Sequence, residues 1–308
     1  MTEREALISY TSSPGPLSGL TEWRNLVRLH RSGLESRVEG RVAELGAIEQ
    51  AVLELTGMKI EHCRILDIGP GQQLMQMAYF ATRGNDVLGV DRDTIVQGLD
   101  PAGYWRMARS NGIGRLVKTV GRKALRVDYR FRKEFERQLG LSVKVPRLTV
   151  YQRNAWETRL EDESFDFVYS LRTFAHIHRP AAALDEVVRV LAPGGAVFIH
   201  IMPFTGPWGS LDIRTVGGSD ELPPWAHLRP EYEGNVKESA HLNRLSAAQW
   251  RNIVTRAMPG CSLEPLQQGA EELRPLAEKL HEQGELVEFE LDDLVTTALH
   301  IVWQKPAG

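Results

Sequence analysis

Cysteine is nearly missing: Cys63 and Cys261 are the only two in 308 residues, too few for a disulfide framework or a cysteine zinc cluster. No apolar run reaches the roughly 18 residues that a membrane-spanning helix requires. The opening MTEREALISYTSSPGPLSG has acidic residues and no apolar h-region, which reads against a secretory signal. A cytoplasmic home is therefore expected. Positive charge is not in excess either, with 37 Lys and Arg against 40 Asp and Glu and a net charge of -3, so no overall nucleic-acid footprint is present. HxxxH-type pairs and paired carboxylate motifs are lacking, and no metal is expected. No internal repeat or low-complexity tract occurs.

What remains is an ordinary globular composition, 42% hydrophobic and 25% charged, long enough to bury a full core. The first twenty residues, rich in Ser, Pro and Gly, read as an arm. Leu34, Val38, Val42, Leu45, Ile48, Val52 and Leu55 then recur at three- and four-residue steps and predict one helix ended by Gly57. Residues 1–62 are thus an arm plus a helical layer. From residue 65 the pattern changes to short apolar runs at 65–68, 87–90, 148–151, 165–169 and 196–201, separated by helical stretches, with a closing strand expected at 294–303. Continuous apolar strands alternating with helices predict a doubly wound α/β sheet over residues 63–308.

Two stretches interrupt that sheet. Residues 92–147 exceed by far the usual connection of about 2 to 6 residues plus a helix. They hold fourteen Lys and Arg against five Asp and Glu, a cationic cap. Residues 203–245 carry Pro203, Pro207, Pro223, Pro224 and Pro230 and predict an irregular substrate loop. Tyr104, Trp105, Trp208, Trp225 and Tyr232 in these stretches could form acceptor-site walls, or satellite cores beneath the loops.

In an open parallel sheet, ligands bind outside the carboxyl ends of the strands. Ile65-Leu66-Asp67-Ile68-Gly69-Pro70-Gly71 puts a glycine turn at such an end, and Asp91 closes the next strand, where a carboxylate can accept two ribose hydroxyls. Leu74 stands where the dinucleotide pattern wants its third glycine. These features alone fit either NAD or S-adenosylmethionine.

Downstream, Asn154-Ala155-Trp156, then Ser164-Phe165-Asp166-Phe167-Val168, then Arg189-Val190-Leu191-Ala192-Pro193-Gly194-Gly195 resemble, in order, the motifs of class I S-adenosylmethionine-dependent methyltransferases, in the branch that includes sugar and small-molecule O-methyltransferases. The resemblance covers roughly residues 63 to 202. It implies a Rossmann-like seven-stranded sheet with S-adenosylmethionine as cofactor. It also implies that Asp67, Gly69 and Gly71 lie by the methionine portion, Asp91 on the ribose, Asn154 and Ala155 at the adenine, and Ser170 and Leu171 close by. Gln73 departs from a third family glycine. His176 matches the position of a catalytic histidine, with His200 the next candidate base; His227 and His241 lie in the long loop.

The expected activity is methyl transfer to oxygen on a saccharide or other small secondary metabolite. A quinone, lipid or nucleic-acid acceptor and a non-catalytic cofactor-binding module are the alternatives. The absence of an N/D-P-P-Y/F motif counts against methylation of base amino groups. Oligomeric state is open.

Overall fold

A computed structural model describes residues 33–98, 100–140, 148–216, 222–238 and 241–308. The amino-terminal arm, Lys144 and Arg147 lie outside these. The strands hydrogen-bond in the order β3-β2-β1-β4-β5-β7-β6, one seven-stranded sheet. By contacts the chain divides into two compact units, residues 1–154 and 155–308.

In the first unit, helix α1 (Leu34–Thr56) buries Val38, Leu45, Ile48 and Val52 and stops at Gly57, whose φ of 71° suits glycine. Leu55 is exposed, so the apolar stripe fades in the last turn. Strands β1 (Arg64–Ile68), β2 (Asp86–Asp91) and β3 (Thr149–Gln152) pair in parallel. Helix α2 (Met75–Ala81) follows β1. Its Tyr79 hydroxyl donates to Glu49 of α1 at 2.7 Å, and Arg83, just beyond it, pairs with the same carboxylate at 2.6 Å. Between β2 and β3 stand three helices, α3 (Pro101–Asn111), α4 (Ile113–Ala124) and α5 (Val127–Leu139).

In the second unit, β4 (Phe165–Leu171) runs parallel to β5 (Leu191–Ile201), and helix α6 (Pro180–Val190) joins them. Helix α7 (Ala247–Ala257) starts at a capping box on Ser246. Strand β6 (Ser262–Leu266), helix α8 (Ala270–Glu282) and β7 (Ala298–Gln304) complete the chain, with β7 antiparallel to both β5 and β6. Two sequence expectations change. The closing strand begins at Ala298, because Leu291–Leu294 forms a helical turn. Strand β5 begins at Leu191 rather than at residue 196, with Pro193, Gly194 and Gly195 an irregularity within it: Gly194 N–H donates to the Lys305 carbonyl and Lys305 N–H to that of Gly195. A Cβ on Gly195 would sit 2.8 Å from the Asp166 carbonyl oxygen, so glycine is required there.

Candidate functional site

In the first unit Asp67, Gly69, Gly71 and Asp91, the residues expected at a cofactor, gather at the carboxyl ends of β1 and β2. Asp67 is 2% exposed. Gly69 and Gly71 take φ values of 80° and 66°, which glycine adopts without strain. Gly69 N–H donates to the Val90 carbonyl at 2.8 Å, tying the loop to β2. Asp91 does the same from the side chain, since Oδ2 accepts from Gly71 N–H at 3.1 Å and Oδ1 from Asp93 N–H at 2.8 Å. One carboxylate thus sets the glycine loop and the turn after β2. Leu74 holds the left-handed conformation, φ 55°, at a cost of about 1–2 kcal/mol for a residue with a Cβ.

Asn154 adds a second sign. Its Oδ1 is buried without a hydrogen-bond partner, a costly state unless a ligand donor completes it. An adenine amino group is such a donor, and Asp91 offers acceptors for a ribose, so these residues fit an adenosine moiety. Gly89 went unnoticed in the sequence. A Cβ there would meet Pro70 and Met77 at 3.0 Å, so β2 lies tightly under the loop. A glycine inside a strand was the available signal. Beside the loop opens a cavity of about 580 Å³, with Gln72, Gln73 and Leu74 on one side and Lys123, Arg126, Tyr129 and Arg132 on the other.

In the second unit, Ser170 and Leu171 are buried at the end of β4, in register with Ile199 and His200 of β5, and Ala155 lies in the turn before Glu157. His176 closes a 3-10 turn, Phe174–His176. Its Nδ1 lies 2.9 Å from the His241 carbonyl oxygen. A carbonyl only accepts, so Nδ1 carries the proton and Nε2 is the basic nitrogen. Burial holds this imidazole below its ordinary pKa of 6.5, against the opposing pull of that hydrogen bond. The ring of His241 stacks on His178 with centroids 3.7 Å apart. Asn243 ties the same strand of loop to the turn, donating to the Phe174 and Ile177 carbonyls at 2.8 and 3.2 Å. The importance of Asn243 was invisible in the sequence, because its partners are some 65 to 70 residues away. His200, by contrast, sits inside the sheet with Nδ1 3.0 Å from Nε2 of His300, its register partner on β7.

The described residues of the 203–245 loop form short helical turns and irregular chain. Trp225, a candidate wall residue, is fully buried with Leu273, Ala277, Leu280 and Leu294, and its indole donates to the Leu294 carbonyl at 2.9 Å. It is a satellite core. Phe204, His227, Tyr232, Glu238 and Arg244 instead line a cavity of about 590 Å³. His227 Nε2 donates to the Phe204 carbonyl at 2.7 Å, and burial pushes its pKa from 6.5 down to about 4, with that hydrogen bond opposing. The folded pKa lies below the unfolded one, so this group's contribution is intact above pH 6.5 and is lost as pH falls towards about 4. The loss expected is about 3 kcal/mol. Denaturant unfolding at neutral and acid pH checks it, since His227→Gln should flatten this part of the profile. Among the described residues no group of His, Cys, Asp and Glu is placed to hold a metal ion, and no helix is long and apolar enough to cross a membrane.

Three parallel strands, then β4 and β5, then an antiparallel β7 inserted before β6, make up the seven-stranded sheet that the sequence resemblance implied. Residues 112–199 match a family model described as a methyltransferase domain. Over that stretch the chain resembles a methyltransferase domain. The matched stretch spans α4, α5, β3, β4, α6 and most of β5, while the glycine loop and Asp91 precede it. No curated protein matches the chain. Among solved structures, it is similar to a Haemonchus contortus phosphoethanolamine N-methyltransferase 2 in complex with S-adenosyl-L-methionine, at 18% identity and TM-score 0.46, over 84% of this chain and 52% of that one. A Thermotoga maritima protein described as a possible histamine N-methyltransferase gives 17% identity and TM-score 0.41, over 93% and 96%. A Haloferax volcanii methyltransferase in complex with the Trm112 activator gives 16% and 0.43, over 90% and 96%.

Proposed function

We propose that this chain is an S-adenosylmethionine-dependent methyltransferase that transfers a methyl group to oxygen on a saccharide or other small secondary metabolite, with His176 as the base. The observation that carries this reading is the fixed tautomer of a half-buried His176 whose pKa is held below its ordinary value. S-adenosylmethionine, when bound, supplies an electrophilic methyl group on a sulfonium. Asp67, Gly69 and Gly71 would hold its methionine portion, Asp91 the ribose hydroxyls, and Asn154 and Ala155 the adenine, with Ser170 and Leu171 alongside. His176 Nε2 takes the proton from the acceptor hydroxyl as oxygen becomes the nucleophile. Alignment of the acceptor supplies the remaining acceleration. His200, engaged with His300, is the weaker candidate.

The cavity at Phe204, Tyr232 and Arg244 supports a sugar-like acceptor. Arg229 stands over the Tyr232 ring and Arg244 over the Phe204 ring, with Arg244 also paired to Glu238 at 2.9 Å. Ring faces with charged edges suit an acceptor that is apolar on its faces and hydroxylated at its rim. Incubating the protein with S-adenosylmethionine and a panel of glycans, phenols, lipids and RNA, followed by product mass spectrometry, tests the reading. Methylated oxygen on a glycan or small hydroxylated product is expected; methylation confined to nitrogen would sink it. Asn243→Ala should cost about 1–3 kcal/mol of stability and lower kcat with unchanged cofactor affinity, because it loosens the turn that carries His176. Thermal melts and steady-state kinetics check both parts.

A further inference from the structure

Helix α4 is inverted relative to an ordinary surface helix. Its inward side is polar: Thr119 is 2% exposed, and Lys123 Nζ reaches the Val96 and Gly98 carbonyls at 2.7 and 2.9 Å. Its outward side is apolar, since Ile113, Val117 and Val120, at four- and three-residue steps along one stripe, are 72%, 57% and 45% exposed. Trp105 on α3 and Leu125 after α4 are exposed as well. A soluble surface helix turns its apolar stripe to the core, and exposed apolar clusters of this kind mark a contact with something else. The same region carries concentrated positive charge. Residues 100–140 contain eleven Lys and Arg against four Asp and Glu, a net +7 in a chain whose total is -3.

We propose that this face docks on an anionic membrane surface, with Ile113, Val117 and Val120 at the acyl boundary and the flanking cations on lipid phosphates. An apolar row within a cationic field is the combination that interfacial helices use, because apolar burial and attraction to anionic headgroups add. A second copy fits less well. A two-fold contact would place the same +7 region against itself. Nucleic acid would satisfy the cations but leave the apolar row in water. The inference concerns where the enzyme sits and holds for a soluble or a lipid acceptor alike.

The test is co-sedimentation of the full chain with vesicles of phosphatidylcholine alone, or with about a third phosphatidylglycerol added. Binding to the anionic vesicles only, weakening as salt rises, is expected. The double variant Val117→Asp/Val120→Asp changes two exposed side chains and should lower partitioning at least about tenfold, with unaltered melting temperature and cofactor affinity. Trp105→Ala should show a smaller loss in the same direction. Absence of vesicle binding overturns the proposal. So does binding that the double variant leaves intact, the behaviour of a purely polyanion-binding face that would also retain RNA. A wild-type dimer that the double variant dissociates in sedimentation velocity would assign the face to a second copy and overturn it equally.

Discussion

His176→Ala lowers kcat by about 10² to 10⁴-fold, the usual worth of a positioned general base, while S-adenosylmethionine affinity stays unchanged. The size of the effect follows from two features of the turn. The His241 carbonyl fixes Nδ1 as the protonated nitrogen, so no tautomer exchange has to precede catalysis. Burial keeps the ring uncharged at neutral pH. His176→Gln is the informative companion: its amide can still donate to a carbonyl but cannot accept a proton, so its turnover should fall with that of the alanine variant. The pH profile gives an independent readout. Because burial lowers the pKa from 6.5, kcat should be flat across neutral pH and decline only below that value. Full turnover in both variants would remove His176 from the mechanism, and a decline centred above pH 6.5 would contradict the direction of the shift.

Asp91→Ala raises the dissociation constant for S-adenosylmethionine by at least about a hundredfold. Hydrogen bonds to a charged group are worth about 1.5–3 kcal/mol each, and two ribose hydroxyls together account for about 3 kcal/mol or more, which is that factor. The carboxylate has a second task, since it also receives the N–H groups of Gly71 and Asp93. Alanine therefore releases the glycine loop as well as the ribose. Asp91→Asn separates the two: one amide oxygen can hold Gly71, so the loop survives while a ribose contact is lost, and an intermediate affinity is expected. Calorimetric titration measures all three proteins, and equal affinities would strip Asp91 of its role.

Both residues were legible in the sequence for a physical reason. Asp91 and the glycine loop sit where apolar strands end, and strand ends in a parallel sheet are marked by a change from apolar to turn residues. His176 lay in a short turn between recognisable elements. Strand β6 was not legible: Pro265 and a half-exposed pattern argue against a strand, yet β6 is the last in the sheet order, and an edge strand tolerates proline. Trp225 could be placed on a loop by sequence, but whether a loop aromatic faces ligand or core depends on helix α8, far along the chain. The cation excess of the 92–147 stretch was plain; that the apolar side of α4 points outwards was not, because periodicity gives a stripe without saying what lies opposite it.

The segment from His241 to Arg244 joins two jobs in one short strap. Its first residue fixes the tautomer of His176, Asn243 fastens the turn, and Arg244 borders the Phe204–Tyr232 cavity. Any reshaping of that cavity towards a different acceptor pulls on the backbone that sets the imidazole. On the proposed function, acceptor choice and turnover would therefore be inherited together: a lineage, or an engineer, that widens the cavity at Arg244 would have to restore the His241 carbonyl before recovering rate.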